Sequence, residues 1–442
     1  MRLANWGNYP VVDAEMVDFS NVSELSRLAE RFEESIPRGL GRCYGDASLA
    51  PRIISTHRLQ RVLAFDEETG TLTCEAGVSF EDLLKVFVPR GWFPPVTPGT
   101  KHVTVGGAIA ADIHGKNHHK EGSFSNHLER IELFLSGGSV TSCSRETNPE
   151  LFWATCGGMG LTGMILNATF RLKKIETGFI DRTTYKARDL DEAMDLIART
   201  AEATYSVAWV DCLARGRKLG RSLLFLGEHA ARERLGGTQS RNPLAVHGKK
   251  RLSVPFFLPS FVLNGLSIKL FNALYFHAHR TGKKTDLVHY DPFFYPLDGV
   301  GSWNKIYGRR GMMQYQLVLP LENSRAGLEA ILKTIADQGD ASFLAVLKLF
   351  GKQEGLLSFP MEGYTLALDF PVKTRVFALM SKLDKLVVEN GGRIYLAKDA
   401  RLDRDRFFES YPQAREFMAR KEAADPKRGW ASFQSKRLGL TP

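Results

Sequence analysis

Three glycine-rich turns crowd the first part of the chain, and each falls between strand and helix signals. They are PRGLGRCYGDA at Pro37–Ala47, PGTKHVTVGGAIAADIHGKN at Pro98–Asn117 and CGGMGLTG at Cys156–Gly163. Glycine lets a backbone turn sharply and approach a ligand without a Cβ in the way. Three such turns in one α+β segment suggest a chain wrapped around a large bound group. In the first turn, Gly39, Gly41 and Gly45 allow positive φ. Successive N–H groups there form an anion-binding nest, to which Arg38 and Arg42 add charge. The alternative for this block alone is a glycine-rich hairpin with no ligand. In the second turn, Thr104-Val105-Gly106-Gly107-Ala108 is a run of small residues that can open a helix and admit a planar ring. His114 and Lys116 follow as polar groups. In the third, Gly158, Gly160 and Gly163 satisfy GxGxxG, yet MILNATF after it reads as strand. A nicotinamide site needs a helix there, so that reading is weak.

The surrounding text is ordinary globular sequence. Asn21–Phe32 places Val22, Leu25, Leu28, Ala29 and Phe32 on one helical stripe. RVLAFDEETGTLTCEAG reads as two strands joined at Glu68-Thr69-Gly70. SFEDLLKVFVPRG opens on a cap-like Ser79/Asp82 spacing. Beyond Thr177, helices are expected at 189–203 and 372–392. Strands are expected at YSVAWVDC, MMQYQLVLP, ASFLAVLKLFG and TLALDFP. The tail from 402 reads as helical. The 442 residues, 43% of them hydrophobic, exclude global disorder. Five cysteines without a CxxC pair exclude a disulfide framework and favour a reducing compartment. No early apolar run follows the N-terminal MRLANWGNYP, so no signal peptide is expected. No window offers the roughly 20 apolar residues of a spanning helix.

A net charge of +10 fits nucleic acid, an anionic membrane face or phosphorylated substrates, or simply solubility. Nucleic acid is disfavoured, because Arg and Lys are scattered and not interleaved with aromatics. His114, His118, His119 and His127 fall close together, but no HExxH or cysteine completes a zinc set, so no metal is expected. Residues 249–280 are the most apolar stretch, broken by Pro255, Pro259, Gly265 and Lys269. With Lys249, Lys250 and Arg251 at its start, it suggests contact with a membrane surface. The alternative is a partly buried loop.

GLGRCYGDA, PGTKHVTVGGAIAADIHGKNHHKEGSF and ELFWATCGGMGLTG resemble the FAD-binding domain of the vanillyl-alcohol-oxidase-type (PCMH-type) flavoproteins. The likeness continues in order through FFYPLDGVGSWNKIYG, MMQYQLVLP, FLAVLKLFG, TLALDFPVK and GGRIYLAKDAR, and is strongest to the branch acting on polyprenylphosphoryl sugars. The resemblance implies an α+β, two-domain fold. Residues 1–177 would form the FAD-binding domain, 178–392 a substrate domain on an antiparallel sheet, and 393–442 a segment returning to the FAD domain.

It implies non-covalent FAD, because Arg42 stands where some members carry a flavin-linking histidine. The cofactor would lie against Pro37, Arg38, Gly39, Leu40, Gly41, Arg42, Cys43, Tyr44, Gly45, Asp46 and Ala47. Gly99, Thr104, Val105, Gly106, Gly107, Ala111, Asp112, Ile113, His114, Ile165 and Tyr395 would complete its wall. Lys116, Trp209, Gln316, Lys348, Thr365, Ala367 and Lys398 would face substrate. Ala367 replaces a cysteine of the mycobacterial enzymes, and Thr365 an asparagine. Lys398 would sit beside the flavin N1/C2 edge, where a cation stabilises negative charge on the reduced ring.

The implied reaction is hydride transfer from C2 of a polyprenylphosphoryl-ribose to flavin N5, giving a 2-keto sugar. His114, Tyr44 and Lys398 are the candidates for the proton. A separate NAD(P)H-dependent keto-reductase would complete epimerisation to the arabinose donor used in cell-envelope glycans. Peripheral membrane attachment from the cytoplasm is expected, a periplasmic site being the alternative. The competing activity is oxidation of free sugars, polyols or aldonolactones.

Overall fold

The structure is a computed structural model and describes residues 1–246, 252–259, 264–279, 282–339, 342 and 344–442. Local signals translate directly into elements. Asn21 caps the helix Val22–Arg31 by accepting from Glu24 N. Ser79 and Asp82 form a reciprocal capping box on the helix Phe80–Phe87. Thr104 accepts from Gly107 N and opens the short helix Val105–Ala110. The segment after the third glycine turn is the strand Met164–Arg171, which excludes the strand–turn–helix of a dinucleotide fingerprint.

The N-terminal part is built on two main sheets, beside the short pairs Arg2–Ala4 with Val11–Asp13 and Trp92–Phe93 with Lys173–Lys174. A parallel three-stranded sheet pairs Glu15–Val17 and Ile36–Arg38 with the central strand Arg52–Ser55. A five-stranded antiparallel sheet runs Val140–Cys143, Leu128–Phe134, Met164–Arg171, Thr71–Glu75, Val62–Phe65. Its apolar face joins Leu72, Ile131, Leu133 and Ile165 to Leu83 and Phe87 of the capped helix and to Val105 and Ile109 of the small-residue helix. The glycine turns therefore hang from a rigid base.

The second half is built on one eight-stranded sheet. Its order is Lys283–His289, Phe179–Ala187, Ser222–His229, Tyr205–Val210, Ala345–Phe350, Gly363–Pro371, Met312–Pro320, Arg393–Ile394, with every neighbouring pair antiparallel. The helices Leu190–Arg199, Leu321–Gln338 and Thr374–Glu389 supply Ile197, Leu328, Ile331, Leu379 and Leu383 to the core against it. The fold is thus mixed α+β, as the resemblance implies. All five cysteines are free.

Arg393–Ile394 is an edge strand of this large sheet, paired with Leu317 and Val318. Only beyond it does the chain turn to the first glycine loop, where Tyr44 N donates to Ala397 O at 3.0 Å. The tail then packs on the N-terminal part. Phe433 N donates to Leu49 O, and Arg437 pairs with Asp46 at 2.7 Å and Asp399 at 2.9 Å.

Within the apolar stretch, Gly265–Ala278 is a helix capped by Asn264. Phe276 packs against Trp209 and Leu223, and fully buried Asn272 donates to Asp211 Oδ1 at 2.7 Å. Arg221 holds the same carboxylate at 2.6 Å. The opposite face carries Leu266, Leu270, Phe271 and Leu274, exposed at 79, 60, 45 and 64%. Lys249, Lys250 and Arg251 lie outside the described residues. No helix among the described residues is long and apolar enough to cross a membrane.

Candidate active site

A cavity of about 580 Å³ opens between the glycine turns and the large sheet. The turns are shaped for close approach. A Cβ on Gly39 would stand 2.4 Å from Thr104 Oγ1, and one on Gly45 only 1.8 Å from Asp399 O. Only Gly41 of the three adopts positive φ, at 62°, so close approach explains the other two. The backbone N–H groups of Leu40, Gly41 and Cys43 have no protein acceptor among the described residues. By contrast, Val105, Gly106 and Gly107 spend theirs on Val78 O, Ala76 O and Thr104 Oγ1. Anion donors thus come from the first turn, and the second turn contributes smallness. Gly99 faces the cavity, and a Cβ placed on it would meet nothing within 4 Å, which leaves room for a ligand.

Of the arginines expected to add charge, Arg38 donates to Asn5 and to Ala4 O. Arg42 stacks 4.1 Å from the Trp6 ring.

Deeper in the cavity the polar groups converge. Lys398 Nζ stands 4.0 Å from the Tyr44 ring centroid. Gln316 Nε2 donates to His114 Nε2 at 2.9 Å and approaches Thr365 Oγ1 at 3.3 Å, while Thr365 donates to Leu317 O. Burial, reinforced by Lys348, holds the His114 pKa well below its ordinary value. The imidazole is neutral, and with Nε2 accepting it carries its proton on Nδ1. Burial also pushes the Tyr44 phenol well above its usual range.

Burial depresses all three lysines of the site. Lys398 falls to about 8, with Asp369 opposing the fall. Lys348 falls to about 7, helped by Lys398. Lys116 falls to about 7, helped by Lys348 and Arg182, and donates to Phe293 O. Beyond Lys116 the wall turns aromatic. Arg182 lies 5.9 Å from the Phe225 ring, Trp209 meets Tyr275 at 4.9 Å, and Phe271 stacks on Tyr275 at 5.9 Å. Phe271 belongs both to the cavity wall and to the exposed helix face.

Most residues expected at the site line this one cavity. Five stand behind the wall. Gly45 is pressed on Asp399, and Asp46 pairs with Arg437. Val105 is buried in the core. Asp112 accepts from Ser125 N and the Ser358 hydroxyl. Thr365 supports Gln316. Sequence reasoning missed Trp6, Arg182, Phe225, Tyr275, Phe293 and Gln314, all on the wall. For Arg182, Phe225 and Gln314 the usable signal was a polar or aromatic residue within a strand, as with Gln314 in MMQYQLVLP. Among the described residues, no three His, Cys, Asp or Glu side chains converge as a metal site.

A glycine-lined cradle with free N–H donors, opening on a lysine–histidine–tyrosine centre, defines an FAD-binding oxidoreductase. Residues 16–144 match the family model described as FAD binding domain. The chain is 36% identical over 450 residues to the decaprenylphosphoryl-β-D-ribose oxidase of Mycolicibacterium smegmatis, covering 99% of this chain and 97% of that protein. It therefore belongs to the decaprenylphosphoryl-β-D-ribose oxidase family, and FAD is its cofactor. An uncharacterized Streptomyces coelicolor protein is 36% identical over 82% of this chain and 100% of its own length. The L-gulonolactone oxidase of Bos taurus is 28% identical over 44% of this chain and 45% of its own.

Proposed function

We propose that this protein oxidises the 2′-hydroxyl of a polyprenylphosphoryl-β-D-ribose to the 2-keto sugar. The observation that carries the reading is the graded wall of the cavity. A glycine cradle gives way to Lys398, Tyr44, His114 and Gln316. Lys348 acts on Lys116, as Arg182 does; Arg182 meets Phe225, Trp209 meets Tyr275, and Tyr275 stacks on Phe271 of the exposed apolar helix face. That sequence of surfaces suits a cofactor, a sugar, a phosphodiester and an isoprenoid in turn. A free aldonolactone gives no reason for the aromatic and exposed apolar end. The lactone oxidase relative named above matches less than half of the chain, whereas the decaprenylphosphoryl-ribose oxidase spans nearly all of it.

Bound FAD supplies the hydride acceptor. The chain's own residues hold and prepare the sugar. Lys398 presents a positive charge beside the cofactor, and Tyr44 sits beneath it as a protonated phenol. His114, fixed by Gln316, offers Nδ1–H to a sugar oxygen. The hydroxyl proton needs an acceptor with a lone pair at neutral pH. Lys116 is engaged by Phe293 O, which leaves the Lys348 amine as the base. Lys116 and Arg182 then face the phosphodiester. Arg42 in the first turn supports non-covalent FAD.

In this reading the division at residues 177 and 392 separates a cofactor domain from a substrate domain, and 393–442 closes the cofactor side. The helix Gly265–Ala278 rests its exposed face on a membrane, as peripheral attachment from the cytoplasm requires. An NAD(P)H-dependent keto-reductase receives the product. The test is turnover of polyprenylphosphoryl-ribose followed by mass spectrometry. A product two hydrogens lighter, trapped by a carbonyl reagent at C2, supports the reading; unchanged lipid-sugar beside rapid oxidation of a soluble aldonolactone refutes it.

A further inference from the structure

Asp369 is fully buried in the middle of the strand Gly363–Pro371, directly opposite Gln314 in the sheet register. No lysine or arginine among the described residues stands within ion-pair distance of it. A buried carboxylate without a cation is costly, so it either neutralises or draws on a more distant charge. Its backbone N–H is pinned to Ser342 Oγ at 2.9 Å. Gln314 Nε2 donates to Oδ1 at 2.5 Å and lies 3.4 Å from the Tyr44 hydroxyl. Lys398 stands over the ring of that tyrosine, 4.0 Å from its centroid.

We infer that Asp369 is a positioning residue of the active site: the buried counter-ion of Lys398, acting across Tyr44, that keeps the ammonium charged beside the cofactor and holds Tyr44 in place through Gln314. Two groups raise the Lys398 pKa against the burial that lowers it, the Asp369 carboxyl and the Cys43 thiol. Lys398 in turn depresses Lys348 and His114. Tyr307 and Gln314 meet the Asp369 carboxyl, which burial pushes up to about 7. Arg42 and Asp298 also act on Tyr44. The alternative is a carboxyl that merely buttresses Gln314.

The inference rests on the flavin site and not on the identity of the sugar, so its test uses no substrate. The midpoint potential of the FAD-bound protein is measured against pH by spectroelectrochemistry. In the wild type the slope should break near pH 8, where Lys398 titrates. In Asp369→Asn the break should move down by about one pH unit, as loss of a nearby opposite charge requires. Asp369→Glu should restore it. A break that stays in place in Asp369→Asn overturns the inference. If Asp369→Asn does not hold FAD, thermal melting of Asp369→Asn, Lys398→Met and the double variant decides. At about pH 7.5, where both groups carry charge, the two single losses should be non-additive, and at about pH 5, where Asp369 is protonated, they should add. Additive losses at both pH values overturn the inference.

Discussion

Gln316 donates to His114 Nε2 at 2.9 Å, and this one bond ties the large sheet to the second glycine turn across the cavity. The two residues are 202 positions apart in the chain. Their contact fixes the imidazole as a neutral donor toward the cavity instead of a base. The arrangement makes the two halves of the molecule interdependent at the polar centre of the cavity.

Replacing Gln316 with Leu leaves Nε2 without a partner and frees the ring. The expected outcome is a lower kcat with FAD content unchanged, since Gln316 bonds to His114 and Thr365 and to none of the N–H donors of the first glycine turn. A buried polar group left unpaired costs about 1–3 kcal/mol. The melting temperature should therefore also fall. A Gln316→Leu protein with wild-type kcat removes the positioning role.

The pH dependence follows from two lysines of opposite requirement. As the proposed base, Lys348 would work only as the free amine, so activity should rise with pH through about 7. Lys398 works only as the ammonium, so activity should fall above about 8. The profile is a narrow bell. Lys348→Arg keeps the charge but never offers a lone pair, and should lose about 10²-fold in kcat at every pH. Retention of most of the rate by Lys348→Arg would show that the residue binds an anion instead.

Glycine substitutions should separate cofactor loss from structural loss. Gly99→Val projects into open cavity and should leave the fold intact while the purified protein turns colourless. Gly45→Ala drives a methyl into Asp399 O and should lower the melting temperature even without FAD. Absorbance spectra and melting curves of both variants check this directly. Equal behaviour of the two would refute the distinction.

The helix Gly265–Ala278 offers a surface prediction. Leu266, Leu270 and Leu274 are largely exposed, so changing all three to Glu removes no core contact. Co-sedimentation with anionic vesicles should be lost, with FAD content and melting temperature unchanged. Persistent vesicle binding rules this face out as the attachment surface.

Much of this site was legible in the sequence because glycine turns and small-residue runs carry their constraint locally. Pro37–Ala47 and Thr104–Gly107 announce close backbone approach whatever surrounds them. The helices and strands were legible for the same reason: the Ser79/Asp82 box and the stripe of Val22–Phe32 are short-range patterns. Asp369 and Gln314 were not. Each sits inside an apolar strand text, TLALDFP and MMQYQLVLP, and only the register that sets them opposite one another gives them a partner. Arg182, Phe225 and Tyr275 come from a strand pair and a helix that meet only in three dimensions. Gly45 and Asp46 were placed against the cofactor by their neighbours, whereas tertiary packing turned them to the C-terminal segment.

The central claim is that one cavity joins FAD to a polyprenylphosphoryl sugar. Its most direct test is an anaerobic visible spectrum before and after adding polyprenylphosphoryl-ribose. The account predicts bleaching of the flavin band near about 450 nm in the absence of any other electron donor. A yellow protein that stays oxidised with this substrate but bleaches with an aldonolactone or polyol contradicts it.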